Sequence, residues 1–173
     1  MWEECVRPER KLQTFGRGEG ELFMPQMPIT FVDWCNGTPT EDAVNGAPVI
    51  QNVTIRRDPI LRSRGTPQPE ITSFLALVDT GADFIYADRS LVDGASLPFL
   101  RNANMASATS SQDTGQYRAH VFFGEHSYEI ESEVIAASLK TSDVAYSIVL
   151  GRSFLSRGIL HMDFKKSIFH FTI

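Results

Sequence analysis

The sequence contains few cysteines and no long apolar run. Cys5 and Cys35 are the only cysteines among its 173 residues, so no disulfide framework is expected, and no Cys-x-x-Cys pair indicates a zinc site. No apolar run approaches the roughly 20 residues that a membrane span requires. The first residues lack the basic and apolar regions of a signal peptide. We therefore expect a cytoplasmic protein with no membrane partner.

Basic residues are fewer than acidic ones. The chain has 16 Lys and Arg residues against 21 Asp and Glu residues, a formal net charge of -5, so it has no basic footprint for a phosphate backbone. Its four histidines, His120, His126, His161 and His170, follow no metal-ligand spacing. We expect neither a nucleic-acid partner nor a metal or other cofactor.

What the chain does contain is enough apolar material for one globular domain. Hydrophobic residues make up 42% of it and aromatic residues 10%, and its length fits a single domain with a tail. Residues 1–45 are rich in Gly and Pro without periodicity, which predicts an N-terminal extension, flexible or resembling a pro-segment. One apolar patch in it, residues 28–34, is compatible with a strand. Residues 46–173 are predicted to form the domain.

The pattern within this domain is that of an all-β fold. Apolar and polar residues alternate over residues 49–57, and residues 71–78 form a nearly continuous apolar run, as expected for a strand buried on both faces. Further short strands follow between turns about 8 to 12 residues apart, which favours a barrel or a sandwich. Residues 152–157 have the composition of a short helix.

The most informative string is Asp79-Thr80-Gly81, which directly follows the buried strand. Such a strand holds a carboxylate at a fixed point, Thr80 is able to hydrogen-bond backbone groups and lock the turn, and Gly81 leaves space for a second carboxylate. Two carboxylates can divide acid and base work between them, one deprotonating water while the other, protonated, polarises a carbonyl. The tripeptide in this context predicts half of such a pair.

The sequence 75–83, Leu-Ala-Leu-Val-Asp-Thr-Gly-Ala-Asp, resembles the active-site signature of retropepsins, the aspartic peptidases of retroviruses, retrotransposons and related cellular and bacterial proteins. A second string, Ile148-Val149-Leu150-Gly151-Arg152, is similar to the turn that closes the retropepsin lobe. The resemblance covers residues 48–173. It implies an all-β, closed-barrel lobe with a flap hairpin and one short C-terminal helix.

The resemblance also implies a homodimer that hydrolyses peptide bonds. Each subunit of such an enzyme contributes one Asp-Thr-Gly, so the catalytic residues here would be Asp79, Thr80 and Gly81 of two copies of the chain. The implied substrate-binding residues are Ala82, Asp83, Ala108 and Thr109. An ion pair between Asp83 and Arg152 near the dimer interface is implied as well, the alternative being two separately solvated side chains.

A second Asp-Thr-Gly occurs at Asp113-Thr114-Gly115. Polar residues precede it instead of an apolar strand, and too few residues separate it from Asp79 to hold a second lobe, so no catalytic role is predicted for it. The segment 110–115 is interpreted as the apex of the flap hairpin. Tyr117, on the returning strand, either lines the cleft or packs in the core.

Two alternatives to an active homodimeric peptidase remain open at this stage. The first is a non-catalytic retropepsin-like module for dimerisation or peptide binding. The second is a precursor whose first 45 residues cover the cleft. The apolar terminal strand, residues 168–173, is expected to supply pairing at the dimer interface.

Overall fold

The computed structural model describes residues 25–58, 72–106, 111–124, 128–140 and 143–173. In this part of the chain most elements are strands, as the alternating pattern predicts, and two short helices are inserted between them. The strands are β1 (Gln26–Pro28), β2 (Thr30–Val32), β3 (Ala47–Arg56), β4 (Phe74–Val78), β5 (Ile85–Asp88), β6 (Phe99–Ala106), β7 (Ser111–Phe123), β8 (Tyr128–Ala137), β9 (Ile148–Leu150), β10 (Ile159–Asp163) and β11 (Ile168–Thr172). The helices are α1 (Arg89–Gly94) and α2 (Arg152–Leu155).

Eight strands form one sheet in the order β2-β3-β4-β9-β5-β8-β7-β6. The sheet closes on itself because β3 also pairs with β7, with Val53 opposite Phe123. Two of its pairings, β4 with β9 and β5 with β8, are parallel. The all-β, closed-barrel fold is therefore confirmed. The helix α2 is the predicted C-terminal helix, and α1 is an additional one.

The other three strands form a small sheet in the order β1-β11-β10. The C-terminal strand β11 is its central member, because Thr172 lies opposite both Gln26 of β1 and Ile159 of β10. Both edges of β11 are thus occupied within the chain. The expectation that the terminal strand pairs across a dimer interface was wrong for this strand, since its hydrogen-bonding edges are already used.

Strands β1 and β2 change the N-terminal boundary of the domain. They lie within residues 1–45, which were predicted to be an extension, yet β1 joins the small sheet and β2 pairs with β3. Met27 and Val32 are fully buried. The folded unit therefore includes residues from 25 onwards, whereas the sequence pattern placed its start at 46. Residues 1–24 lie outside the described part of the chain.

The buried apolar residues form two clusters on opposite faces of the barrel strands. The larger one contains Ala76 and Val78 of β4 and extends to Phe154 of α2, whose ring stacks at 5.2 Å on Phe123. A smaller cluster covers the other face of the same strands. Its buried members are Val32, Ala47, Val49, Leu77 and Val149, and its partly buried members are Leu75, Ala82, Tyr86, Leu139 and Tyr146.

The helix α1 begins at a buried aspartate that follows β5. The carboxylate of Asp88 accepts hydrogen bonds from the backbone N–H of Ser90 at 3.0 Å and of Lys140 at 2.9 Å. Such a cap satisfies amides that the first turn of a helix leaves without a partner. The described helices have 6 and 4 residues, and no helix in the described ranges is long and apolar enough to cross a membrane.

Candidate active site

Asp79 directly follows β4, and the alternation of this strand decides which way its side chain points. Ala76 and Val78 face the larger core cluster, whereas Leu75 and Leu77 face the smaller one. Because side chains alternate along a strand, the carboxylate of Asp79 continues the face of Leu75 and Leu77. The residue is partly buried. An ionisable group thus lies at the margin of an apolar face.

The turn after β4 is held by the aspartate itself. The amide of Gly81 donates to Oδ1 of Asp79 at 2.8 Å, and the backbone N–H of Asp79 donates to Leu150 of β9 at 3.2 Å. Thr80 was expected to lock this turn through its hydroxyl. It is exposed, and no hydrogen bond of its side chain is found in the described ranges, so that expectation is corrected.

Backbone hydrogen bonds join the loop after Asp79 to the string that resembles the lobe-closing turn. Gly151 and the first two residues of α2, Arg152 and Ser153, donate three backbone hydrogen bonds to the carbonyl oxygens of residues 82–84. These are Gly151 to Phe84 at 3.2 Å, Arg152 to Ala82 at 2.8 Å and Ser153 to Asp83 at 2.9 Å. The two sequence motifs therefore meet in space, and the second fixes the backbone of the first.

A charged contact joins the two motifs at the surface. Nη2 of Arg152 forms a salt bridge with Oδ1 of Asp83. Both side chains are more than half exposed, at 63% and 57%, so water screens the attraction and its contribution to stability is small. The two side chains are therefore paired in the monomer. The location of this pair near a dimer interface stays a prediction.

Two tyrosines lie within electrostatic reach of Asp79. Burial raises the pKa of Tyr86 on β5, and the negative charge of Asp79 raises it further. The same two causes, in the same order, raise the pKa of Tyr146, just before β9. Both phenols therefore stay protonated at neutral pH.

The loop 33–46 packs over the same apolar face. Gly37, at φ +73, passes so close to Leu75 that an added Cβ would lie 3.2 Å from its Cδ1. The backbone oxygen of Trp34 accepts a hydrogen bond from Ala145 at 2.8 Å. The ring of Trp34 meets that of Tyr146 edge to face at 6.3 Å. These two rings are called the aromatic wall below.

The second Asp-Thr-Gly has a different environment from the first. Asp113, Thr114 and Gly115 lie inside β7, opposite Asn104, Ala103 and Asn102 of β6. Strand β7 begins at Ser111, so the predicted apex over residues 110–115 was wrong: most of that segment is paired strand. The strands of the predicted flap hairpin are present. Their connection, residues 107–110, lies outside the described residues.

Other predicted residues can be placed in part. Ala108 and Thr109 belong to the connection that is not described. Tyr117 is partly buried, packs against the larger core cluster, and meets Phe99 edge to face at 5.6 Å, which favours packing as its role. No group of three His, Cys, Asp or Glu side chains in the described ranges is arranged to hold a metal ion.

Comparison with solved structures identifies the fold. A retropepsin-like aspartic protease from Rickettsia conorii aligns over 90% of this chain and 97% of its own, with a TM-score of 0.50 and 15% identity. The chain has a retropepsin-like fold. Two retroviral proteases also align, both at 15% identity: the EIAV protease in complex with an inhibitor (68% of this chain, 93% of that chain, TM-score 0.45) and the simian foamy virus protease (61% and 90%, TM-score 0.38). No family model and no curated protein sequence matches the chain.

The retropepsin-like fold also contains site residues that sequence reasoning missed. Tyr86 and Tyr146, which lie within electrostatic reach of Asp79, were not singled out, and neither was Trp34, whose ring meets that of Tyr146. Tyr86 carried a readable signal, because it lies on the strand that follows Asp-Thr-Gly and alternates with the buried Ile85 and Ala87. Trp34 had none, because its contacts with Ala145 and Tyr146 join parts of the chain that are remote in sequence.

Proposed function

We propose that this protein is an aspartic endopeptidase that works as a homodimer, with Asp79 of each copy in a shared active site. The observation that carries the proposal is the position of Asp79 on the retropepsin-like fold: a partly buried carboxylate at the end of a buried strand, with its turn fixed by the Gly81 amide. The activity named for the Rickettsia protein of the same fold supports this assignment.

The chemistry follows from two carboxylates held close together. Like charges at short distance repel, so such a pair retains one proton between its members. The ionised carboxylate takes a proton from a water molecule, and the oxygen of that water attacks the peptide carbonyl carbon while the protonated carboxyl group donates to the carbonyl oxygen. The carboxyl group that took the proton from water then gives it to the amine nitrogen, and the C–N bond breaks. The other carboxylate recovers its proton from a hydroxyl of the tetrahedral intermediate, which becomes the new carboxyl group. Activity is expected at acidic to near-neutral pH, and it falls at higher pH as the shared proton is lost.

The exposed face of the Asp79 turn supports pairing with a second copy. Thr80 and Gly81 are exposed, and one apolar strand ending in Asp-Thr-Gly is present in the described part of the chain. The other carboxylate would therefore come from a partner chain. The Ala82 and Asp83 backbone, held by residues 151–153, is proposed to bind the peptide backbone, and the hairpin residues Ala108 and Thr109 to close over it.

Replacing Asp79 tests the proposal directly. Asp79→Ala should lower cleavage of a mixed peptide library by at least roughly 10²- to 10⁴-fold, because the general base is lost. Asp113→Ala is the matched control: it removes the aspartate of the other Asp-Thr-Gly, which is exposed inside β7, and should leave cleavage unchanged. Both variants should keep the thermal stability and the dimeric mass of the wild-type protein.

Three outcomes would contradict the proposal. The first is equal cleavage by Asp79→Ala and wild type, which would exclude Asp79 as the catalytic base. The second is a strictly monomeric protein at the concentrations that support cleavage, which would exclude a site shared between two copies. The third is a wild-type dimer that binds peptides and cleaves none from acidic to neutral pH, which would favour a non-catalytic binding module.

A further inference from the structure

The aromatic wall is an unusual surface beside the candidate site, because one of its rings is large, exposed and held in place. Trp34 is 41% exposed. Its Nε1 donates to the backbone oxygen of Asn45 at 2.7 Å, its own backbone oxygen is bonded to Ala145, and its ring packs on Tyr146. Three contacts thus fix an apolar ring that still faces solvent.

The position of the wall relates it to Asp79. Burial and then the negative charge of Asp79 raise the pKa of Tyr146. Tyr146 also belongs to the same apolar cluster as Leu75 and Leu77, the β4 residues that precede Asp79 on its face. Trp34 extends the same surface, because its ring meets that of Tyr146 edge to face. A peptide that lies across the Asp79 turn along this face would reach the wall with one of its side chains.

The charged residues of the loop that carries Trp34 are all acidic. The loop 33–46 contains Asp33, Glu41 and Asp42 and no Lys or Arg. Asp42 is close to the ring, because its carboxylate is bonded at 2.8 Å to the side chain of Asn45, whose backbone oxygen holds Trp34. Charges within a Debye length of about 10 Å repel a like charge. The surroundings therefore disfavour an acidic side chain at this place.

We propose that the aromatic wall of Trp34 and Tyr146 is a specificity subsite that takes a large apolar side chain, aromatic above all, of the peptide substrate. The inference rests on the proposed peptidase function and adds a selectivity to it. An aromatic side chain gains an edge-to-face partner and buries the exposed ring. An aspartate or glutamate gains neither contact and meets the acidic loop.

Library profiling of three proteins tests the subsite. In Trp34→Ala, kcat/KM for peptides with an aromatic residue at one substrate position should fall about three- to tenfold, mainly through KM, because the ring contacts the substrate equally before and in the transition state. Preferences at other positions should stay unchanged. Val44→Ala is the control, since it removes an 82% exposed apolar side chain from the same loop, and its profile should match wild type.

Two results would overturn the subsite. One is an unchanged positional profile in Trp34→Ala. The other is faster cleavage of every peptide by this variant, which would mean that Trp34 obstructs the cleft. Trp34→Phe keeps an aromatic face and loses only the bond to Asn45, so it should retain most of the aromatic preference. An equal loss of the aromatic preference in Trp34→Phe and Trp34→Ala would indicate that this preference depends on the position of the loop and is independent of the aromatic ring.

A binding measurement separates failure of the subsite from failure of the peptidase. Trp2 and Trp34 are the only tryptophans, so Trp2→Phe combined with Asp79→Asn gives a non-cleaving protein whose fluorescence reports Trp34 alone. A short capped peptide with one phenylalanine should shift this fluorescence saturably, and the matched aspartate peptide should not. A fluorescence shift without cleavage by the wild-type protein would contradict the proposed peptidase activity and support the subsite. Cleavage by the wild-type protein without a fluorescence shift would contradict the subsite alone.

Discussion

At the residue scale, three aspartates show how environment assigns a role to a carboxylate. Asp79 is partly buried at the margin of an apolar face. Asp113 shares its tripeptide but is exposed inside β7, where it accepts a hydrogen bond from Asn104 at 3.1 Å. Asp88 is 4% exposed, and its carboxylate caps α1 and accepts from the Lys140 amide. The tripeptide alone made Asp79 and Asp113 equal candidates, and only the apolar strand before Asp79 separated the first from the second.

The carboxylate of Asp88 should make stability depend on pH. Burial acts to raise its pKa, but hydrogen bonds from Ser90 and Lys140 outweigh burial and hold the pKa below its usual 3.8. The folded protein then binds this proton less readily than the unfolded chain. The stabilisation is therefore fully present above the unfolded-state pKa of 3.8 and is lost as pH falls from there through the folded-state pKa.

Denaturation of Asp88→Ala in urea measures this contribution. At pH 7 the variant should lose about 1 to 2 kcal/mol in the free energy of unfolding, because the α1 cap is removed and the Lys140 amide loses its acceptor. The difference from wild type should shrink as pH falls below 3.8, because the stabilisation from the ionised carboxylate is lost there. Asp93→Ala, in the same helix but exposed, should change the free energy by less than about 0.5 kcal/mol. A difference independent of pH would contradict the assignment.

At the element scale, the turn from β9 into α2 is the support on which the Asp79 loop rests. Sequence predicted this element well, because its apolar run, its glycine and its short helix are all local signals. The hairpin of β6 and β7 was predicted less well. Small polar residues at 110–115 have the composition of a turn, but cross-strand partners on β6 keep residues 111–115 extended, and such partners leave no local trace.

The glycine of that turn should tolerate no side chain. A Cβ on Gly151 would contact the carbonyl oxygen of Phe84 and would lie 2.7 Å from that of Ala82, and both oxygens are backbone atoms that accept hydrogen bonds from this turn. Gly151→Ala should therefore lower the free energy of unfolding by about 1 to 3 kcal/mol and reduce cleavage by displacing the Asp79 loop.

Gly94→Ala provides the matched control. Gly94 ends α1, and an added Cβ there would meet no atom within 4 Å. This variant should be neutral or more stable by up to about 1 kcal/mol, since alanine restricts the unfolded chain. Urea denaturation of both variants gives the comparison. Equal behaviour of the two alanine variants would show that the backbone around Gly151 relaxes freely.

At the scale of the whole molecule, the part that sequence could not supply is the set of long-range pairings. Strands β1 and β2 have three residues each, too few for alternation to be visible, and they lie among glycines and prolines typical of loops. The partners that stabilise them are remote: β1 depends on β11, some 140 positions further along the chain. The aromatic wall was not predictable either, because Trp34 and Tyr146 are remote in sequence and meet only in the fold.

Burial of Met27 offers a test of the corrected domain boundary. Its side chain is 0% exposed and belongs to the larger core cluster, so Met27→Ala should lower the free energy of unfolding by about 2 to 5 kcal/mol. The neighbouring Gln26 points to the exposed side of β1, and Gln26→Ala should change it by less than about 0.5 kcal/mol. If residues 1–45 were a flexible extension, thermal denaturation would show no difference between the two variants.

The central position of β11 has a consequence for how the molecule forms. Among the described strands, β1 pairs with β11 alone, and the amide of Ile173 bonds to the oxygen of Pro25, so the last described residues close the sheet onto the first. A chain that leaves the ribosome N-terminus first must carry Met27 exposed until β11 has been made. Closing so long a loop is entropically costly and slow. During synthesis, β1 is therefore a segment open to contacts with other chains until β11 has been made.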